Sequence, residues 1–187
     1  GGTGQNPARQ ASIKSGLPVE IPAYVVNQVC GSGLRSIVSG FQSISSNYSN
    51  IIIAGGQENM SLAPHAIHLR DGKKLGDAKL IDTMIQDGLW DAFNEYHMGM
   101  TAENVAEKFQ ITRDEQDYFA FNSQKKALEA QKHKKFEKEI INFKIKSKKS
   151  EIDFSKDEHP RDGISLDSLS RLKPVFKKDG TVTAGNA

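Results

Sequence analysis

Tyr24-Val25-Val26-Asn27-Gln28-Val29-Cys30-Gly31-Ser32-Gly33-Leu34 is the stretch on which the reading of the fold turns. The run from Ile21 to Val29 is rich in β-branched and aromatic residues, the composition of a strand. Gly31 and Gly33 interrupt it. Leu34, Ile37, Val38, Phe41 and Ile44 then recur at the spacing of one helix face. A polar turn, Ser45 to Asn50, leads into Ile51-Ile52-Ile53-Ala54-Gly55-Gly56. This short apolar run, closed by glycines, has the pattern of a strand buried on both faces. Strand, helix and strand together predict a βαβ unit over Tyr24 to Gly56 and place the chain in the α/β class.

Working outward, Ala8 to Ile13 is a candidate short helix in an otherwise turn-rich opening. Met60 to Asn94 shows no sustained period and carries Gly72, Gly76 and Gly88, so it reads as a loop-rich excursion with short elements. Helical character returns near Thr101. Thr112-Arg113-Asp114-Glu115 matches a capping box and predicts a helix to about Lys134. A strand is expected from near Ile140, with Ile141, Phe143 and Ile145 on a buried face and Asn142, Lys144 and Lys146 in solvent. Lys144 to Lys149 and then Ser150 to Glu158 read as a solvated edge and loop. No internal repeat is visible.

Composition narrows the classes of function. The 187 residues carry 25 Lys+Arg against 23 Asp+Glu, and 37% are hydrophobic. That balance gives no case for a nucleic-acid partner, and the apolar share argues against global disorder. No run is long enough to span a bilayer, and no signal peptide is recognisable. The expectation is a soluble, intracellular protein with no membrane partner. A single cysteine excludes an internal disulfide and a multi-cysteine metal site. Gly1-Gly2-Thr3-Gly4 lacks an initiator Met and Ala184-Gly185-Asn186-Ala187 is loop-like, which suggests a portion of something longer.

Cys30 therefore has two readings, an inert buried thiol or a reactive one. Its position favours chemistry. The first-turn amides of a following helix are unpaired and the helix dipole is positive there, which stabilises a thiolate. Gly31 and Gly33 leave room for a flat acyl group to approach. The same amides could hold the oxyanion formed at an attacked carbonyl. Acyl transfer through a covalent thioester suits such an arrangement.

Val26-Asn27-Gln28-Val29-Cys30-Gly31-Ser32-Gly33-Leu34 resembles the acyl-cysteine signature of the thiolases. Four further stretches resemble thiolase segments in the family's order. They are Gly4-Gln5-Asn6-Pro7-Ala8-Arg9-Gln10-Ala11, Ala54-Gly55-Gly56-Gln57-Glu58-Asn59-Met60-Ser61, Tyr96-His97-Met98-Gly99-Met100-Thr101-Ala102-Glu103-Asn104 and Gly180-Thr181-Val182-Thr183-Ala184-Gly185-Asn186-Ala187. His68-Leu69-Arg70 through Gly76, followed by Ile81 to Leu89, is similar to the biosynthetic, acetoacetyl-CoA-forming branch, in which this region includes a tetramer-forming loop. An assembly or binding role also fits a long excursion in a compact domain.

The resemblance implies a partial thiolase fold: layered α/β, a mixed sheet with a βαβ unit, and an inserted loop domain. Residues 1–60 would be the later part of the N-terminal α/β domain. Residues 61–187 would be the loop domain with oligomerisation and CoA-binding segments. It implies that Cys30 takes the acetyl group of one acetyl-CoA and that a second, deprotonated acetyl-CoA attacks it to give acetoacetyl-CoA. The implied partners are acetyl-CoA, CoA and further copies of the chain in a homotetramer. The implied compartment is the cytoplasm, with no cofactor beyond the CoA thioesters and no metal.

By the same resemblance, His97 lines the pantetheine channel beside the acyl group, Met98 shapes the acyl pocket and Leu89 lies along the channel. Arg161 and Ser168, in Arg-Asp-Gly-Ile-Ser-Leu-Asp-Ser, match contacts to the nucleotide end and pantetheine of CoA. Phe176 and Ala184 match further CoA-lining positions. Each has a plainer alternative: His97 as a core or capping histidine, Arg161 as a member of a solvated ion pair. Three family elements are not found. There is no second cysteine in a Cys-x-Gly setting, no Gly-His-Pro histidine and no Asn-Glu-x-Phe/Ala motif. The chain alone is expected to turn over little or nothing, and to expose strand edges and apolar faces; the alternatives are a truncated remnant that at most binds CoA or assembles, or another thiolase-fold condensing enzyme.

Overall fold

The computed structural model describes residues 2–146 and 150–187. They form two compact units, Gly1–Glu95 and Tyr96–Ala187. Among the described residues no helix is long and apolar enough to cross a membrane.

The first unit opens with α1 (Pro7–Lys14), close to the expected short helix. Pro7 suits a first helical position because its missing amide would be unpaired there anyway. Asn6 caps the helix by accepting the Arg9 amide, and its side-chain amide donates to the Ala23 carbonyl at 2.9 Å. The Arg9 guanidinium donates to the carbonyls of Val19 and Ile21. The Asn6–Arg9 pair thus ties α1 to the segment that leads to Cys30.

α2 (Ser32–Ser45) is the helix predicted from the apolar stripe. The stripe itself is not what packs within the unit: Leu34, Ile37 and Phe41 are 70%, 55% and 70% exposed. Contact with residues 52–56 runs instead along small residues. The Ser36 hydroxyl donates to the Gly55 carbonyl at 2.9 Å. A side chain at Gly40 would meet Ile52 at 3.1 Å, and one at Gly56 would meet Gly33 at 3.4 Å. Gly33, Ser36 and Gly40 recur at i, i+3 and i+7, so the backbone of 52–56 lies close against one face of α2.

The flanking strands require a correction. Among the described residues, 21–29 and 51–56 form no ladder, apart from an isolated bridge between Gln28 and Cys30 on either side of a turn at Val29. Ile51 and Ile53, expected in a doubly buried strand, are 87% and 81% exposed. Strand composition alone makes no sheet, which needs a neighbouring strand to receive its amides and carbonyls. Among the described residues none does so.

The excursion has the expected short elements: a 3₁₀ turn at Met60–Leu62, β1 (His65–Ala66), β2 (Ile81–Asp82), a π-helical turn at Ile85–Leu89 and β3 (Trp90–Asp91). β1 and β2 pair antiparallel, and the Thr83 hydroxyl donates to the Pro64 carbonyl at 2.6 Å.

In the second unit β4 (Tyr96–His97) leads into α3 (Met98–Phe109), and α4 (Arg113–Lys132) follows. The capping box is present as read, with the Thr112 hydroxyl accepting the Glu115 amide and the Glu115 carboxylate accepting the Thr112 amide at 2.8 Å. β5 (Phe143–Lys146) and β6 (Glu151–Phe154) form an antiparallel hairpin that pairs Phe143 with Phe154 and Ile145 with Ile152. Two expectations fail here. Residues 151–154 are a strand rather than loop, because Ile152 and Phe154 find cross-strand partners. The supposed buried face of Ile141, Phe143 and Ile145 is exposed, since nothing among the described residues of the unit covers it. Ser147, Lys148 and Lys149 of the lysine-rich stretch lie outside the described residues.

α5 (Leu166–Ser170) packs on α4. Leu169 is 2% exposed and, with Ala106 and Val182, makes the small apolar core. Burial on that scale is worth about 1.5–3 kcal/mol for one leucine, so polar contacts must carry much of the packing.

Candidate active site

Cys30 is exposed in this chain. The turn carrying it is locked by short bonds. The Ser32 hydroxyl donates to the Val29 carbonyl at 2.6 Å and accepts the Gln28 amide at 2.8 Å. The Asn27 side chain accepts the Val29 amide at 2.9 Å. Val29 itself sits at φ 48°, a left-handed conformation that a β-branched residue rarely adopts. Such strain persists only where surrounding contacts over-determine it. Here it reverses the chain immediately before Cys30 and presents the thiol at the start of α2.

The amides of that helix are partly committed. Gly31 donates to the Gln28 carbonyl at 3.0 Å and Ser32 to the Val29 carbonyl at 3.1 Å. Among the described residues no acceptor meets the amides of Gly33 and Leu34. These two are the donors left for a developing oxyanion, and Gly33 adds no bulk.

In the second unit His97 is the N-cap of α3. Its Nδ1 accepts the Gly99 amide at 3.0 Å, so the capping alternative holds for that nitrogen. An accepting Nδ1 places the proton of the neutral ring on Nε2, leaving Nε2–H as a donor. The Phe176 ring stacks on the imidazole with centroids 4.8 Å apart and planes at 20°. Met98 begins the helix, partly exposed, and its sulfur lies 4.0 Å from the Thr101 hydroxyl. His97 and Phe176 therefore come together, with Met98 next to His97 in the chain.

Arg161 belongs elsewhere in this unit, on an open groove of about 710 Å³ lined also by Ile140, Phe143, Phe154, Lys156 and His159. Its amide donates to Gln124 Oε1 at 3.0 Å. Its guanidinium enters no ion pair among the described residues. Ser168 closes a second capping box, its hydroxyl donating to the Ser165 carbonyl at 2.8 Å and accepting the Ser165 amide at 3.0 Å. Only one lone pair of that hydroxyl remains for a ligand. Ala184 is exposed on the Thr181–Asn186 loop, and Leu89, half-buried, ends the π-helical turn of the first unit.

A model of the thiolase N-terminal domain matches residues 1–187. The chain belongs to the thiolase family. It is 57% identical over 186 residues to an acetyl-CoA acetyltransferase of Rhizobium meliloti, a match covering all of this chain and 47% of that protein. An acetyl-CoA acetyltransferase of Paracoccus denitrificans is 58% identical over 184 residues, again 47% of its length. Among solved structures, the Bacillus anthracis acetyl-CoA acetyltransferase superposes with a TM-score of 0.94 at 41% identity. That match spans 98% of this chain and 46% of the other. Human mitochondrial 3-ketoacyl-CoA thiolase gives 0.91 at 43% identity, spanning 96% and 46%. The thiolase chain thus spans about half the length of the curated relatives it matches, and its architecture is the mixed α/β fold of a partial thiolase.

Several organising residues of this thiolase half escaped the sequence reading. Glu103, 4% exposed, accepts the amides of Thr181 and Val182 at 2.9 and 2.8 Å and the Thr181 hydroxyl at 3.0 Å. Burial, the largest single influence, pushes its carboxyl upward. The amides of Val182 and Thr181, the Thr181 hydroxyl and the Lys177 charge together outweigh burial and hold it below the ordinary value. Asp117, 3% exposed, is bound by Arg113 Nε at 2.8 Å and Asn186 Nδ2 at 2.9 Å. The Arg113 guanidinium also donates to the carbonyls of Leu169 and Leu172 at 2.8 and 2.9 Å. The only sequence signal was that Glu103 and Asn186 sit inside the matched motifs.

Proposed function

We propose that the complete protein is an acetyl-CoA C-acetyltransferase that condenses two acetyl-CoA molecules to acetoacetyl-CoA and catalyses the reverse thiolysis. One observation carries the reading. The cysteine of a chain matched end to end by the thiolase family is exposed on a strained turn at the N-terminus of α2. In this mechanism the Cys30 thiolate attacks the thioester carbonyl, and the free amides of Gly33 and Leu34 stabilise the oxyanion. CoA leaves as a thiolate that takes up a proton. The α-carbon of the second acetyl-CoA then attacks the acetyl-cysteine and releases Cys30.

The second step needs a base to remove the α-proton, and the single cysteine is already occupied as nucleophile. The base cysteine and the activating histidine would come from the remaining half of the protein. That half would also cover Leu34, Ile37, Phe41, Ile51 and Ile53. His97 would donate from Nε2 near the acyl thioester, Met98 would shape the acyl pocket, Leu89 would lie along the channel, and Phe176 would line the CoA site beside His97. Arg161, in no ion pair among the described residues, would meet a phosphate of CoA, with Ser168 and Ala184 along the pantetheine. We keep 1–60 as part of the N-terminal domain and 61–187 as the loop domain. The assembly would be a cytoplasmic homotetramer needing no metal or further cofactor.

The half-length match and the single cysteine also fit a truncated product that binds CoA or assembles without turnover. Both readings are tested together. The complete gene product is incubated with acetyl-CoA, quenched in acid and digested. An acetyl group is expected on the Cys30 peptide, and none in Cys30→Ala. Labelling elsewhere, or persistent labelling in that variant, overturns the mechanism. An open reading frame that stops at Ala187 would establish the truncated product.

A further inference from the structure

We propose that Glu103 is a positioning residue that holds Phe176 against His97, and so fixes the direction of the His97 Nε2–H bond. The inference rests on the thiolase reading for its kinetic consequence, but not for its geometry. The contacts form one chain. Glu103 grips the amides of Thr181 and Val182. The Val182 carbonyl accepts the amide of Val175 at 3.0 Å, next to Phe176. The Phe176 ring stacks on His97 and occupies the space a side chain at Gly99 would need, only 2.2 Å from its Cγ.

The strap has no slack at its anchor. A side chain at Gly180 would lie 2.3 Å from Glu103 Oε1, so the loop backbone itself closes over the carboxylate. Lys177 adds a second tie, its ammonium 3.0 Å from Glu107, one turn beyond Glu103 on α3. The Gln116 amide donates to the Thr181 hydroxyl at 2.9 Å and fixes that donor toward Glu103. A buried carboxylate gathering backbone amides is stronger than the neutral contacts around it. Without it, the polar ties from this loop to α3 reduce to the exposed Lys177–Glu107 pair, which contributes little, while Gln116 and Asn186 still hold Thr181.

Two variants of the complete protein test this, Glu103→Gln and the milder Thr181→Ala, which removes only hydroxyl contacts. The first readout needs no activity. With ¹³C-labelled histidine, the His97 ring protons should be shifted by the stacked Phe176 ring, and should move toward free values in both variants as in Phe176→Ala. Unmoved resonances in a folded variant overturn the proposal. The second readout is thiolysis of acetoacetyl-CoA. Glu103→Gln should lower kcat/KM about tenfold, and Phe176→Ala by a similar factor, with the double variant no slower than the worse single one. Multiplying losses would mean that Glu103 does not act through Phe176. No turnover in the wild type would sink the enzymatic reading, while the resonance test would still decide the positioning.

Discussion

The Phe176 ring lies 4.8 Å from the His97 ring at 20°, over a backbone that can carry no side chain at residue 99. Gly99 is the second residue of α3, where alanine would ordinarily favour the helix by about 1 kcal/mol. Here an added Cβ would sit 2.2 to 2.4 Å from three carbons of the Phe176 ring. Overpacking costs about 1–3 kcal/mol and outweighs the propensity gain. Gly99→Ala should therefore lower the unfolding temperature and break the stack. An unchanged unfolding temperature would show that Phe176 can swing away freely.

Acid should loosen the same region. The folded-state value of Glu103 lies below its ordinary 4.5, so the stabilisation is fully present above about 4.5 and is lost as pH falls through the folded value. Glu115, lowered by the Thr112 amide and hydroxyl, and Asp91, lowered by the Asn94 side chain and the Asn94 and Phe93 amides, act in the same direction. Both of those are exposed and should matter less. Thermal unfolding followed from pH 6 to pH 3 should fall more steeply in the wild type than in Glu103→Gln. Parallel slopes would contradict the assignment to Glu103.

Arg113 should be the costliest cation to remove. Arg113→Ala would leave Asp117 buried beside Asn186 alone and remove the guanidinium from the Leu169 and Leu172 carbonyls, of which Leu169 keeps the Leu172 amide. Breaking a buried pair on one side costs about 3–5 kcal/mol. By contrast, Lys134→Ala, at an exposed pair with Glu137, should cost no more than about 1 kcal/mol. Lysine cannot copy the planar fork, so Arg113→Lys should recover less than half of the loss in a denaturant titration. Near-complete recovery would mean that charge alone is what Arg113 supplies.

Local patterns were legible wherever the physics was local. The Thr112–Glu115 capping box reads directly because both bonds form within one helical turn. The helix following Cys30 reads from the spacing of Leu34, Ile37, Phe41 and Ile44, although the side of it that packs within the unit is Gly33, Ser36 and Gly40. Apolar spacing reports which face must eventually be covered. It does not report what covers it, and in this chain that face stays open. The Ser150 to Glu158 stretch was misread for the same reason: Ile152 and Phe154 become a strand only because Ile145 and Phe143 lie opposite.

By itself, then, the sequence determined the α/β class, the family through five motifs in order, the place of Cys30 before a helix, and the lack of a second cysteine. All of these depend on residue identity and short spacing. Tertiary structure alone decided that Val29 turns left-handed to present Cys30, that His97 caps α3 through Nδ1 under Phe176, and that Glu103 straps a loop 78 residues away. It also decided that residues 21–29 and 51–56 join no sheet among the described residues. A ladder, a stack and a buried carboxylate each need a partner distant in sequence, and chain spacing carries no record of which partner arrives.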